Sequence, residues 1–218
     1  MSSKYSKWYV LPAAVLLLGS VAFAQDSSSS SSSSQSGTPS STTPKPGEVA
    51  QRKENQQDRI ANGVKSGQLT AGETANLENK EAAINGETRA DRAANNGKLT
   101  GAEKQQINQQ QNHLSKQIYN DKHNANTAHY GNNQVGQRRE NQQDRIANGI
   151  KSGQLTAGET AKLENQQRGI NQQVKADRAA NGGKLTQGEK KQVNKEQNGA
   201  SRNIYNKKHN AATQGNKK

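Results

Sequence analysis

The sequence predicts an all-α protein with two homologous three-helix repeats, each running up, down and up, after a disordered Ser-rich tether. The main observation is that residues 51–132 and 137–218 align without gaps at an offset of 86, with 53 of 82 positions identical. Apolar residues also recur at helical spacing between regular helix-start signals. Period-2 alternation and β-branched runs, which would predict strands, are absent.

The first 24 residues have the pattern of a secretory signal peptide. Lys4 and Lys7 precede an apolar stretch at 10–22, and Ala22-Phe23-Ala24 is a small-residue cleavage site. The stretch is shorter than the ~20 residues that span a membrane. We therefore expect a secreted or periplasmic protein, with no transmembrane segment after cleavage. The chain has no Cys, which excludes disulfides and thiolate metal sites.

Residues 25–48 are rich in Ser, Thr and Pro, a composition that is typical of a disordered linker. The predicted domains are therefore a signal peptide, this linker, a first repeat, a short connector and a second repeat. Their predicted ranges are 1–24, 25–48, 49–132, 133–136 and 137–218. The predicted helices span 49–63, 71–94, 101–124, 137–149, 157–180 and 187–210.

The motif G-x-L-T-x-x-E occurs four times, and each time it marks the end of one predicted helix and the start of the next. The Thr is a good N-cap because its hydroxyl can accept a hydrogen bond from an otherwise unpaired backbone N–H. The Glu three residues later completes a capping box, and the Gly suits a left-handed end to the preceding helix. We predict structural caps at Thr70, Thr100, Thr156 and Thr186.

Few apolar residues lie between these signals. Only 28% of the chain is hydrophobic and 3% is aromatic, so each repeat has a thin apolar stripe and a small core. We expect long Gln/Asn-rich helices, as extended hairpins or as a compact bundle. Repeats that associate with each other or with a partner would suit such a stripe. Acidic residues outside the caps are expected on helix surfaces.

Positive charge is concentrated in the second repeat. Residues 51–136 hold 11 basic and 9 acidic residues, a net charge of +2, whereas residues 137–218 hold 17 and 7, a net charge of +10. Outside the cytoplasm, an anionic envelope polymer or lipid head groups would be the partners of such a surface. The alternative is that the charge only keeps the protein soluble. The positions predicted to bind a polyanion are Arg138, Arg139, Lys190, Lys191, Lys195, Lys207 and Lys208.

The four loops also resemble degenerate EF-hands, because their Gly, Leu and Glu match positions 6, 8 and 12 of a calcium loop. The resemblance implies calcium binding by Glu73, Glu103, Glu159 and Glu189, which is the alternative function. Position 1, which should be Asp, holds Asn62, Arg92, Asn148 or Arg178. The loops therefore lack the acidic cluster that offsets the dehydration of the ion, and capping explains the glutamates as well.

Catalytic signatures are missing. The sequence has no Ser/His/Asp or Cys/His constellation, no phosphate-binding Gly-rich loop and no H-E-x-x-H motif, so we predict a non-enzymatic protein without a cofactor. Nucleic-acid binding would have the charge but few aromatic stacking platforms, because residues 25–218 hold only Tyr119, Tyr130 and Tyr205. A sequence-specific nucleic-acid partner is therefore not predicted. His123 and His209 each follow a Tyr by four residues, which predicts a structural Tyr–His edge contact. His113 and His129 are not kept in the second copy, so no role is predicted for them.

The combination of G-x-L-T-x-x-E with I-Y-x-x-K-H-N, found at 118–124 and 204–210, is similar to small exported bacterial repeat proteins of unassigned function. The resemblance covers residues 51–218. It implies export and an all-helical repeat, and it implies no particular activity.

Overall fold

The computed structural model describes residues 47–215, and within this range the chain forms α-helices and no strand. The prediction of an all-α protein with three helices in each repeat is confirmed. The predicted signal peptide and nearly all of the predicted linker lie outside the described residues. The helices are α1 Glu48–Lys65, α2 Ala71–Ala94, α3 Gly101–Lys122, α4 Gln134–Lys151, α5 Ala157–Ala180 and α6 Gln187–Lys208.

The bounds of α2 and α5 are as predicted, whereas the other helices differ at their ends. Helix α4 begins at Gln134, three residues before its predicted start, so it includes part of the segment 133–136 that was predicted as a connector. Asn133 caps this helix by accepting a hydrogen bond from the backbone N–H of Gly136 at 3.1 Å. Helices α3 and α6 end two residues earlier than predicted. Beyond α3, Asn124 turns away from the helix path to donate to Glu73 at 2.7 Å.

Equivalent helices of the two repeats face each other. The α1 helix packs against α4, and α2 packs against α5 in the most extensive interface of the bundle. The α2–α5 pair is antiparallel, because the start of α2 lines one cleft together with the end of α5, and the start of α5 lines the other together with the end of α2. Such self-complementary pairing is the arrangement of a two-fold symmetric dimer, here within one chain. Helices α3 and α6 each pack on the two other helices of their own repeat.

This pairing gives the two thin apolar stripes a common core. The largest hydrophobic cluster contains residues from both repeats, so each repeat covers apolar surface that the other could not bury alone. Its fully buried members include Ile60, Leu69, Leu77, Ile107, Ile118, Ile146, Ile150, Leu155 and Ile204. A smaller cluster lies within the second repeat and contains Val135, Ile170, Val174, Leu185, Val193 and Ala200.

The corner of each helical hairpin depends on a glycine inside the preceding helix. A Cβ atom at Gly63 would come within 2.7 Å of the Leu69 side chain, and one at Gly149 within 2.6 Å of Leu155. Both leucines are fully buried. Their backbone N–H groups donate to the carbonyl oxygens of the same two glycines at 3.0 Å. The glycines therefore allow each corner leucine to turn inward and close the hairpin.

Glutamine side chains connect the helices within each repeat. Gln56 donates to the backbone carbonyl of Gln111 at 2.7 Å, and Gln111 donates in turn to the carbonyl of Val49 at 2.9 Å. Gln142 and Gln197 form the same two bonds in the second repeat, to the carbonyls of Gln197 and Val135. These four glutamines are buried. Because a buried amide is costly unless it is hydrogen-bonded, these bonds explain how Gln occupies positions in the core.

Candidate functional site: two clefts between the repeats

Two clefts lie where the repeats meet, and most of their lining positions are related by the 86-residue offset. The cleft that contains Arg139, which we call the basic cleft, has a volume of about 600 Å³. The cleft that contains Lys53, which we call the matched cleft, has a volume of about 580 Å³. Each cleft is bounded by the start of one long central helix, the second half of the opposite one, and the segment that follows α3 or α6. The fold therefore contains two clefts of equivalent position, one related to the other by exchanging the roles of the two repeats.

The two clefts differ in charge. The basic cleft is lined by cations and neutral groups and contains no Asp or Glu: Thr70, Ala71, Thr127, Ala128, His129, Tyr130, Arg139, Gln143, Gln167, Asn171, Val174, Lys175 and Arg178. In the matched cleft, Lys53, Arg89 and Arg92 stand at the positions equivalent to Arg139, Lys175 and Arg178, and Glu54 is part of the lining.

Arg139 is the central cation of the basic cleft. Its guanidinium lies over the ring of Tyr130, 5.4 Å from the ring centroid. No ion pair joins Arg139 to a carboxylate within residues 47–215. Burial lowers the pKa of Arg139, and the neighbouring charge of Arg178 lowers it further. The guanidinium is therefore partly removed from water next to a second cation and without an anionic partner.

Tyr130 forms the wall under Arg139. Burial raises the pKa of its hydroxyl to about 12, and the acidic groups of Glu164, Asp144 and Glu140 raise it as well. The Tyr130 hydroxyl is buried without a hydrogen-bond partner among the described residues, as is Nε of Arg139. The segment that carries Tyr130 is hydrogen-bonded to the corner between α1 and α2, because Ala128 donates its backbone N–H to the carbonyl of Gly67 at 2.8 Å.

Lys53 has acidic neighbours in the matched cleft. Burial lowers its pKa, and the carboxyl group of Glu81 is the largest opposing influence. The ammonium also donates to the backbone carbonyl of Gln214 at 2.7 Å. The side-chain amide of Gln214 donates two further hydrogen bonds of 2.6 Å, to the Gln57 side-chain oxygen and to the Leu155 carbonyl. The position equivalent to Glu81 in the second repeat is Gln167, so that half of the molecule lacks this carboxyl group.

Three carboxyl groups lie inside the helix bundle, which corrects the expectation that acidic residues outside the caps are on helix surfaces. Glu78, Glu81 and Glu164 are each 0% exposed. Burial raises the pKa of Glu78 and Glu164 to about 8 and that of Glu81 to about 7, and the Glu81 and Glu164 carboxyl groups further raise the pKa of Glu78. Each repeat supplies one equivalent hydrogen bond, from Gln57 to Glu78 at 3.0 Å and from Gln143 to Glu164 at 2.9 Å.

All four predicted capping threonines are N-caps in the structure. At each one the hydroxyl accepts from the backbone N–H of the Glu three residues later, and that Glu accepts from the backbone N–H of the Thr. Partial burial of Glu73 and Glu159 opposes ionisation, but the hydrogen bonds donated to the four carboxylates lower the pKa of each.

The glutamates considered for calcium binding are the same four residues. Their second carboxylate oxygens accept from asparagines: Asn124 and Asn126 at Glu73, Asn95 at Glu103, Asn210 at Glu159 and Asn181 at Glu189. Lys207 also pairs with Glu159 at 3.7 Å. Within residues 47–215, no three His, Asp or Glu side chains come together as a group that could hold a metal ion.

The seven residues predicted to bind a polyanion do not form one patch. Arg139 lines the basic cleft, whereas Lys190, Lys191 and Lys195 are exposed on α6. Arg138 is close to these lysines, because it donates to Asn194 at 3.2 Å and to Asn198. The remaining two, Lys207 and Lys208, lie in the last turn of α6.

The residues that the sequence analysis missed are those of the clefts, including Tyr130, Lys175 and Arg178, and the buried carboxyl groups. His129, for which no role was predicted, lines the basic cleft. The substitution of Glu81 by Gln167 is visible in the aligned repeats and could have indicated the charge difference. The predicted Tyr–His contacts are present, but the rings are stacked, with centroids 4.2 Å and 4.1 Å apart, and do not meet at their edges.

None of the six helices is both long enough and apolar enough to cross a membrane, as judged over the residues that the structure describes. Comparison with known protein families, with curated proteins and with solved structures finds no match for this chain.

Proposed function

We propose that this protein is a non-enzymatic binding protein of the bacterial envelope or exterior, and that its second repeat binds an anionic polymer through α6. The observation that carries the proposal is a line of exposed cations on the outer side of that helix, formed by Lys191, Lys195 and Arg202. We call these three residues the α6 stripe. Export is supported by the signal pattern in residues 1–24 and by the resemblance to exported bacterial repeat proteins.

The α6 stripe follows from helix geometry. Its residues are spaced i, i+4 and i+11, which places them on one side of a helix, along about 16 Å of its length. The buried residues of α6, which are Val193, Gln197, Ala200 and Ile204, occupy the opposite side. The stripe therefore faces solvent. None of its three residues forms an ion pair within residues 47–215, so all three charges are available to a partner.

The first repeat supplies an internal comparison. Lys191 and Lys195 correspond to Gln105 and Gln109 of α3, and only Arg202 has a basic counterpart, Lys116. Helix α6 has six basic and two acidic residues, whereas α3 has three and two. Both helices pack on the same partners within their repeats. The added charge is therefore not needed for the fold, which supports a binding role.

The test measures binding of polyphosphate of defined length at several salt concentrations. The variant K191Q/K195Q gives α6 the residues of α3, and we expect weaker binding with a log–log salt slope shallower by about 1–2, because fewer counterions are released. The reciprocal variant Q105K/Q109K should bind more tightly with a steeper slope.

Anionic phospholipid vesicles form a second arm of this test, with circular dichroism to confirm that both variants remain folded. Unchanged affinity and slope in K191Q/K195Q would overturn the role of the stripe. Binding to vesicles without binding to polyphosphate would overturn the assignment to a polymer.

A further inference from the structure

We propose that the basic cleft is a binding site for a small phosphate-type oxyanion that carries two or more negative charges. The cleft and the α6 stripe share no residue, so this inference does not rest on the proposed function. The cleft also has a counterpart in the same molecule, the matched cleft, which provides a built-in control.

The lining of the basic cleft is rich in positive charge. Its Arg and Lys side chains are Arg139, Lys175 and Arg178, and no Asp or Glu lines it. These cations come from α4 and α5, so the fold itself brings them to one cavity. Like charges that face one cavity repel each other, and a multivalent anion between them would replace this repulsion with attraction. Three cations favour a ligand with more than one negative charge.

The Arg139 guanidinium is partly buried without an anionic partner among the described residues. A partly buried guanidinium is costly unless an anion or hydrogen-bond acceptors compensate for the lost water. Among the described residues Arg139 has only the face of Tyr130, and its Nε atom has no acceptor. The planar guanidinium can donate two parallel hydrogen bonds to a phosphate group. An oxyanion in the cleft would therefore supply the missing partner.

The Tyr130 hydroxyl supplies a neutral hydrogen-bond donor to the cleft. Tyr130 is part of the lining, and its hydroxyl is buried without a hydrogen-bond partner among the described residues. Thr70 and Thr127 add hydroxyl groups to the lining, and Gln143, Gln167 and Asn171 add amide groups. A cavity of about 600 Å³ lies in the range of small-molecule sites, so it can hold a phosphate or diphosphate group together with water.

In the matched cleft, the charge of the partly buried cation is compensated by residues of the protein itself. Lys53 stands at the position of Arg139, but Glu81 and Glu54 oppose the effect of burial on it. Lys53 also donates to the Gln214 carbonyl, so it already has a hydrogen-bond acceptor. In the second repeat the Glu81 position is Gln167, and Glu140, which corresponds to Glu54, does not line the basic cleft. The positive charge of Arg139 therefore has no anionic partner in the basic cleft, whereas that of Lys53 is compensated in the matched cleft.

The test uses isothermal titration of the full chain with inorganic pyrophosphate at neutral pH. We expect saturable binding at one site. The variant K175Q/R178Q removes two cations from the cleft, the exposed Lys175 and the half-buried Arg178. We expect at least a tenfold loss of affinity, because the charged hydrogen bonds from these side chains to the anion are lost. The matched control is R89Q/R92Q, which makes the same change in the other cleft and should leave the affinity unchanged.

A second variant tests the charge balance directly. Q167E introduces into the second repeat the carboxyl group that Glu81 supplies in the first, and we expect pyrophosphate binding to weaken at least tenfold. Because Gln167 is buried, a thermal melt must accompany this measurement. If Q167E does not fold, K175Q/R178Q alone decides the outcome.

Three results would overturn the proposal. These are no binding of pyrophosphate, equal losses in K175Q/R178Q and R89Q/R92Q, and binding of citrate without binding of pyrophosphate. The α6 variant K191Q/K195Q separates this inference from the proposed function, because it should keep wild-type affinity for pyrophosphate. Loss of polyphosphate binding in that variant with retained pyrophosphate binding would show that the two sites are independent.

Discussion

The two repeats share their helix bounds but not their charge. Every helix of the second repeat begins and ends 86 residues after its counterpart in the first. Over the same scaffold, the net charge rises from +2 in residues 51–136 to +10 in residues 137–218. Among residues 47–215, the charges that differ include exposed helix positions and the buried Glu81, whereas the Thr caps, the corner leucines and the glutamine bonds are the same. Folding and charge are therefore specified by different positions.

The clefts show this separation most clearly. At one pair of equivalent positions, Glu81 and Gln167, a buried carboxyl group that acts on the central cation in the first repeat is replaced by an amide in the second. Both residues are long, polar and buried, so the packing is kept while the charge changes. Exchanging residues between equivalent positions is therefore the most direct way to test which features belong to the scaffold.

The largest effect is expected in the shared core. Ile60→Ala and Ile146→Ala remove equivalent, fully buried side chains. Each should lower the free energy of unfolding by about 2–5 kcal/mol, as large-to-small changes in cores do. Because both residues belong to one cluster, each variant should unfold in a single transition. Urea unfolding followed by circular dichroism measures this, with the exposed neighbours Asn62→Ala and Asn148→Ala as controls. Two separated transitions would show that the repeats fold independently.

A pH dependence is expected from the buried carboxyl groups. Their pKa values in the folded state, about 8 for Glu78 and Glu164, lie above the usual value near 4.5, so the folded state holds protons that the unfolded state has lost. Stability should therefore fall as the pH rises from about 4.5 through about 8. The capping glutamates, whose pKa values are lowered, have the opposite effect, and their contribution is lost as the pH falls through the acid range.

The double variant E78Q/E164Q should remove most of the loss at alkaline pH. At pH 8.5 we expect it to be more stable than the wild type by about 1–3 kcal/mol, the usual cost of a buried group without full hydrogen bonding. Thermal melts between pH 5 and pH 9 measure the effect. The exposed Glu140→Gln is the control and should leave the profile unchanged. A wild-type profile that is flat over this range would contradict buried, protonated carboxyl groups.

An asymmetric effect is expected at the starts of α1 and α4. A Cβ at Gly136 would overlap the backbone carbonyl groups of Tyr130 and Gly131, while the equivalent residue in the first repeat is Ala50. Gly136→Ala should cost about 1–3 kcal/mol, as overpacking does, and displace Tyr130 from Arg139. Ala50→Gly should cost at most about 1 kcal/mol through helix propensity. Chemical denaturation and Tyr fluorescence would show the difference, and equal costs would contradict it.

The smallest effect is expected at the caps. Thr156→Ala should cost about 1 kcal/mol, because Thr156 is partly buried and its hydroxyl also donates to Glu159 at 2.9 Å. Thr186→Ala should cost less, about 0.5 kcal/mol, because that cap is exposed and Thr186 has no such hydroxyl bond to Glu189. The conservative change Thr156→Ser should retain most of the stability. A larger loss at Thr186 than at Thr156 would reverse this ranking.

Most of the local structure could be predicted from the sequence. The four Thr–Glu boxes, the left-handed glycines and the spacing of apolar residues located six helices, and they placed α2 and α5 correctly at both ends. These signals act over three to five residues, so the residues that decide them are adjacent in the chain. The start of α4 was missed because Val135 is the one apolar residue in the first two turns of the helix, so no apolar periodicity is visible there.

The burial of polar side chains could not be predicted in the same way. Gln56 is stable in the core because its acceptor, the carbonyl of Gln111, lies 55 residues away on another helix. Glu78 on α2 is fully buried, and the side chain that donates to it, Gln57, lies 21 residues away on α1. An isolated helix does not show which long polar side chain will find a partner. The acids assigned to the surface, and the roles of Tyr130 and Arg139, were missed for this reason.

The sequence by itself thus determined the duplicated helices, their caps and corners, and the excess of positive charge in the second repeat. Only the tertiary structure decided that equivalent helices pair, that glutamines and carboxyl groups share the core, and that the pairing creates two matched clefts of different charge. The physical reason is the distance along the chain between the residues that interact. Helix starts and stops depend on hydrogen bonds between near neighbours, whereas burial and charge compensation depend on residues that come together only when the two repeats pack.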